Sequence, residues 1–121
     1  MPERIKLIPS ERQLHAQCVA WLRAANLPVL VHHSPNEGRR GFIAQADVKA
    51  MGVMAGWPDL ELIRKDGQTL FVELKRPGGR MSDDQRAVHA ALAEYGHIVQ
   101  VIDRFNDFVD LVQPWVREVS P

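Results

Sequence analysis

A single cysteine, Cys18, leaves this chain no internal disulfide to form. Its place on the inner stripe of an expected helix reads as a small buried thiol rather than a nucleophile. A reducing compartment suits it. Charge of one sign is also lacking, because 15 Lys and Arg balance 15 Asp and Glu. That excludes the polyelectrolyte signature of a strongly basic nucleic-acid binder, so any such contact must come from local patches. No apolar run approaches the roughly 18 residues that a bilayer span needs, and the opening MPERIKLIPSER has no signal-peptide apolar region. These absences point to a soluble, intracellular protein. Internal repeats and low-complexity tracts are missing too, and 121 residues suit one domain spanning 1–121, with a core over about 10–113 and a tail at 114–121.

What is present is patterned from Ser10 onward. Ser10 with Gln13 forms a capping box behind Pro9 and starts a helix. Leu14, Cys18, Trp21, Leu22 and Ala25 recur on its inner stripe, and Glu11 heads that stripe. Glu11 is therefore either a first-turn acid complementing the helix dipole or a carboxylate delivered to the edge of a site. Val29 to His32 reads as a short buried strand. The loop after it carries His32 and His33, with no cysteine or further histidine at ligand spacing, which argues against zinc. It also carries Arg39 and Arg40 between glycines, a basic pair that either grips phosphates or is simply solvated. Residues 44–51 read as a short helix ended by Gly52.

The centre of the chain is the stretch from Gly56 to Gln85. Leu60 and Leu62 alternate on one run, and Leu70, Val72 and Leu74 on the next, so these faces are expected to be buried together. The opposite faces carry Asp59, Glu61 and Ile63, then Phe71, Glu73 and Lys75. A two-residue Asp66-Gly67 turn would split the acids between faces and mismatch the leucines. A three-residue loop, Lys65-Asp66-Gly67 with glycine in the left-handed position, pairs Arg64 with Gln68 and sets Asp59 across from Glu73. Directly opposed residues have Cβ atoms about 4.5–5.5 Å apart, close enough for one metal to bridge both carboxylates. Two acids so placed repel, and a divalent cation resolves the conflict. Glu73 and Lys75 alone would pass for an ordinary exposed strand face. The preceding Pro58-Asp59, the matching register and the Gly78-Gly79 turn make them a candidate site for magnesium-dependent phosphodiester chemistry.

Ser82 and Gln85 form a second capping box, and Gln85 also heads a stripe of Val88, Ala91, Leu92 and Tyr95. Its role is either cap or site. Gly96 stops that helix, His97 to Ile102 is an apolar strand, and Asp103 can cap a last helix with Phe105, Phe108, Val109 and Val112 inward. Pro114 is expected to end it, leaving Trp115 and Val116 to pack as a tail or meet a partner.

This order of motifs resembles the PD-(D/E)xK nuclease superfamily and, more narrowly, the VRR-NUC family. The narrower likeness rests on Pro35-Asn36-Glu37-Gly38, on Lys49-Ala50-Met51-Gly52 leading through Gly56 to Pro58-Asp59-Leu60, on Phe71-Val72-Glu73-Leu74-Lys75, and on Ser82-Asp83-Asp84-Gln85. It covers residues 10 to 102. Trp57 departs from the small or apolar residue usual there. The resemblance implies an α/β, restriction-endonuclease-like core of order αβββαβ, a central mixed sheet flanked by helices. It implies Mg²⁺ or Mn²⁺ held by Asp59, Glu73 and the main-chain carbonyl of Leu74, with Glu11 completing the cluster through a second metal or a bound water. Lys75 would orient or activate the attacking water, and Gln85 would position the lysine or the scissile phosphate. Arg39, Arg40, Arg76 and Arg80 are the candidate DNA contacts. Standalone members of the family look like homodimeric Holliday-junction resolvases, which makes a cytoplasmic homodimer acting on branched DNA the expectation, in a bacterium or a phage-infected cell. The alternative is a non-catalytic nucleic-acid-binding module on the same fold, and a third reading is a protein-binding domain with a fortuitous motif.

Overall fold

The computed structural model describes residues 8–34 and 50–118. Helix α1 (Glu11–Ala25) is followed by strands β1 (Val29–His33), β2 (Leu60–Arg64) and β3 (Thr69–Leu74), helix α2 (Asp83–Glu94), strand β4 (Ile98–Ile102) and helix α3 (Phe105–Arg117). Among the described residues the order is the expected αβββαβ, followed by a C-terminal helix. The strands form one mixed sheet in the order β1-β2-β3-β4, antiparallel until the last pair, which is parallel. A parallel pair needs a crossover, and α2 supplies it.

The β2–β3 hairpin closes as its hydrophobic alternation demands. Leu60 pairs with Val72 and Leu62 with Leu70. Arg64 N–H donates to the Gln68 carbonyl at 2.9 Å, and Gly67, at φ +89°, makes the left-handed turn that a side chain would resist. One face of the sheet packs Leu60, Leu62, Leu70, Val72 and Leu74 against Leu14, Cys18 and Leu22 of α1 and Phe108, Val112, Trp115 and Val116 of α3. On the other face a smaller cluster joins Phe71 to Val88 and Leu92 of α2, with Trp57 and Val99 against it.

Four expectations are corrected. Strand β1 forms but is not buried: it is an edge strand, with Leu30 72% and Val31 42% exposed. Tyr95, placed on the inner stripe of α2 by its spacing, is exposed. Helix α3 does not stop at Pro114 but runs through it to Arg117, and Arg104 rather than Asp103 takes its N-cap position, with no side-chain bond. A proline inside a helix costs about 3 kcal/mol, whereas burying a side chain of valine size or larger returns roughly 1.5–3 kcal/mol. Trp115 and Val116 are both buried in the main core, so continuing the helix offsets the break. Pro114 and Asp110, whose carbonyl loses its amide partner, both lie on the exposed side.

Candidate active site

The hairpin register carries Asp59 and Glu73 to the same end of the sheet. Continued past Leu60 and Val72, it sets the two acids opposite each other. Asp59 is anchored on both its main chain and its side chain. Its carbonyl accepts Ser34 N–H at 3.1 Å and His33 Nδ1–H at 2.9 Å, and its Oδ2 accepts Leu74 N–H at 2.8 Å. Upstream, Gly56 (φ +86°) lies so close to α2 that a Cβ there would come within 2.4 Å of the Asp84 carbonyl carbon. Only glycine lets the chain approach so closely and then turn into Pro58-Asp59. Trp57, the departure from the family pattern, is accommodated beside the site. Its Nε1–H donates to Glu61 Oε1 at 2.6 Å, and its ring meets Phe71 edge-on at 5.6 Å.

Helix α1 brings the third acid. Ser10 caps it with both bonds of the capping box, and Glu11 follows in the first turn. Ligand-capable oxygens of Glu11, Asp59 and Glu73 lie within 4.8 Å of one another. Burial is the main force that raises the Glu11 pKa. The nearby Asp59 charge adds to it, and Lys75 opposes both.

Glu73 is fully buried, so it is not the exposed strand residue that its tripeptide alone would suggest. Its Oε1 lies 3.0 Å from His89 Nε2, while Oε2 has no hydrogen-bond partner among the described residues. Burial first, then Asp59 through hydrogen bonding and charge, pushes its pKa up to about 9, with Lys75 pulling the other way. A protonated Glu73 would share its hydrogen with Asp59. Once ionised, it leaves a bare buried oxygen beside two more carboxylates. Oxygen-only donors with an uncompensated negative charge fit a hard divalent cation such as Mg²⁺ or Mn²⁺, and a carboxylate without a partner is costly otherwise.

Glu11, Asp59, Glu73 and Lys75 are thus brought together. Gln85 is spent differently: its Oε1 accepts Ser82 N–H at 2.8 Å and its own N–H donates to Ser82 Oγ, which is the capping role. Arg76 and Arg80 are exposed on the segment between β3 and α2. Arg39, Arg40 and the Pro35 to Gly38 motif lie outside the described residues, as does most of the short helix expected at 44–51. His33 meets His15, one turn on from Glu11, edge-to-face at 4.4 Å, and His32 is exposed with Glu61 3.9 Å away. Cys18 is buried and its pKa is pushed up to about 12 by that burial, which leaves the thiol unreactive.

His89 escaped the sequence reading. The signal was its place four residues after Gln85 and between Val88 and Leu92, a histidine on the apolar stripe of α2. Its own pKa is lowered, mainly by burial, with Asp59 raising it and Lys75 lowering it further.

The family model of the VRR-NUC domain matches residues 3–104 of the chain. Among solved structures, a VRR-NUC domain protein 21% identical superposes with a TM-score of 0.73 over 92% of this chain and 91% of its own. A second, described as a VRR-NUC domain, is 22% identical with a TM-score of 0.60, covering 87% of this chain and 97% of its own. These two share the fold. No curated protein matches.

Proposed function

The chain belongs to the VRR-NUC domain family, and from that premise we propose that it is a metal-dependent DNA endonuclease that cuts phosphodiester bonds in branched DNA such as Holliday junctions. The observation that carries this reading is the trio Glu11, Asp59 and Glu73 with its unpartnered buried Oε2. Asp59, Glu73 and the Leu74 carbonyl would hold Mg²⁺ or Mn²⁺, and Glu11 would complete the set through a second metal or a bound water. When bound, the ion supplies Lewis acidity at the phosphate and lowers the pKa of water.

The rest falls to the protein's own groups. Leu74 N–H holds the Asp59 carboxylate in place from the neighbouring strand. Lys75 follows Glu73 on the same strand face and steers the attacking water while countering the charge that develops on the phosphate. Gln85, with its oxygen committed to the helix cap, offers only its amide nitrogen to the lysine or the phosphate. Arg39, Arg40, Arg76 and Arg80 contact backbone phosphates, and the protein selects DNA by backbone shape rather than by base. A homodimer would place two such sites on paired strands of one junction. The working compartment is the cytoplasm; among the described residues no helix is long and apolar enough to cross a membrane.

The test pairs a four-way junction with a linear duplex of the same sequence, in Mg²⁺, Mn²⁺ or EDTA. Junction cleavage that requires the metal is expected. The enzymatic reading is lost if neither DNA is cut in any metal, or if Lys75→Ala retains full activity. Binding without cutting would instead favour a non-catalytic module on this fold. Light scattering of the eluted protein reads the dimer.

A further inference from the structure

Among the described residues, one polar side chain from outside the acidic trio hydrogen-bonds Glu73. His89 reaches it from α2, the helix that crosses from β3 to β4, and both side chains are nine-tenths or more buried at the 3.0 Å contact. The outermost torsion of a glutamate is broad, so a buried carboxylate with a single neighbour is not held at one angle by its own rotamer preferences. A donor on one oxygen removes that freedom. With Oε1 held by His89, the open oxygen is Oε2, on a carboxylate that also faces Asp59.

Resting on the metal-dependent nuclease reading above, we propose that His89 is a positioning residue of the metal centre. Its Nε2–H bond to Glu73 Oε1 sets the carboxylate angle so that Oε2 is turned towards the position that a metal ion would share with Asp59. Outer partners of this kind orient ligands and sharpen affinity. The residue type matters as well. A lysine or arginine on α2 could satisfy the same oxygen, but its charge would compete with the divalent ion for the carboxylate. A neutral imidazole donates one ring hydrogen without bringing that charge.

Two neutral amides separate position from polarity. Glutamine places its amide nitrogen near where Nε2 of histidine lies, whereas asparagine reaches only as far as Nδ1. Titration calorimetry of the metal-free full chain with Mn²⁺, alongside its melting temperature, is the measurement. His89→Gln should keep near-native Mn²⁺ affinity. His89→Asn should lose roughly 10–100-fold, the usual loss for an outer-shell partner, with a melting temperature close to that of His89→Gln. Junction cleavage by His89→Asn should recover when Mn²⁺ is raised. If His89→Asn does not fold, His89→Leu replaces it, apolar like its neighbours Val88 and Leu92 and without a donor. Equal Mn²⁺ affinity in the native protein and every variant, or equal losses in the Gln and Asn forms, overturns the positioning role alone, provided Asp59→Ala abolishes binding. No saturable Mn²⁺ binding by the native chain overturns the metal centre and this role with it.

Discussion

Two ionisable side chains are buried in one hairpin, and the protein treats them in opposite ways. Arg64, beside the turn, is 6% exposed and richly partnered. It donates to both Asp66 oxygens at 2.9 and 2.7 Å, to Gln68 Oε1 at 2.6 Å and to the Trp115 carbonyl at 2.7 Å, and its guanidinium lies 5.1 Å from the Trp115 ring. Glu73, at the open end, has among the described residues one donor, one bare oxygen and two acids for neighbours. The first arrangement ties the hairpin to α3 and is complete in itself. The second is incomplete in a way that a cation completes, and perturbed, under-compensated groups of this sort gather at functional sites. Stability is concentrated at one end of the hairpin and binding capacity at the other.

The contrast breaks most visibly in activity. Asp59→Ala and Glu73→Ala should abolish junction cleavage with the circular dichroism spectrum intact, and Lys75→Ala should lower it by roughly 10²–10⁴-fold. Arg64→Met should do the reverse, lowering the melting temperature while activity falls only with the folded fraction. Glu73→Gln is the most telling substitution, expected to abolish cleavage yet raise the melting temperature of the metal-free protein at neutral pH, because a glutamine needs no proton taken up on folding to be buried there. A melting temperature that falls together with activity would make Glu73 a structural residue.

Next in size is Gly56→Ala, which affects both properties at once. Its Cβ would fall 2.4–2.6 Å from the main chain of Asp84 and Gln85, at a positive φ. Overpacking of this kind costs about 1–3 kcal/mol, and relief by shifting the chain would move Asp59 away from Glu73. Urea denaturation together with Mn²⁺ titration should show both losses.

The response to pH leaves every residue in place and sharpens the comparison. The folded-state pKa of Glu73 is raised from 4.5 to about 9. Its stabilising contribution in the metal-free protein is therefore full below 4.5 and is lost as pH rises through about 9. The melting temperature should decline across that window, and saturating Mn²⁺ or Glu73→Gln should flatten the decline. Asp66 is lowered from 3.8 to about 2 by its bond to Arg64, so its contribution is present above 3.8 and lost as pH falls through about 2. Calorimetric scans at a series of pH values would resolve the two opposite slopes, and a common sign would dissolve the contrast.

The two ends also differ in how far they can be read from the residues alone. Local rules sufficed for the capping boxes at Ser10 and Ser82 and for the three-residue loop, because alternation over five or six residues leaves one register that buries all the leucines. The same register brought Asp59 to Glu73. What escaped is what depends on distant chain. Glu73 is buried and met by His89 because α2 crosses behind it, and β1 is exposed because nothing local says which strand lies at the edge. Arg64 gave no sign of burial, since the carbonyl it meets belongs to Trp115, fifty-one residues away. Helix α3 outruns Pro114 for a related reason, as local propensity yields to a core that Trp115 and Val116 help to fill.

Asp59 and Glu73 each stand five residues from the pair that closes the hairpin, Arg64 and Gln68. The arms therefore act as two rulers of equal length. Adding a residue to one arm would carry its acid to the opposite side of the pleat, out of step with its counterpart. Residues inserted beyond the closing pair leave both rulers unchanged, so the tip around Asp66 and Gly67 is where this scaffold can lengthen without losing the meeting of its acids.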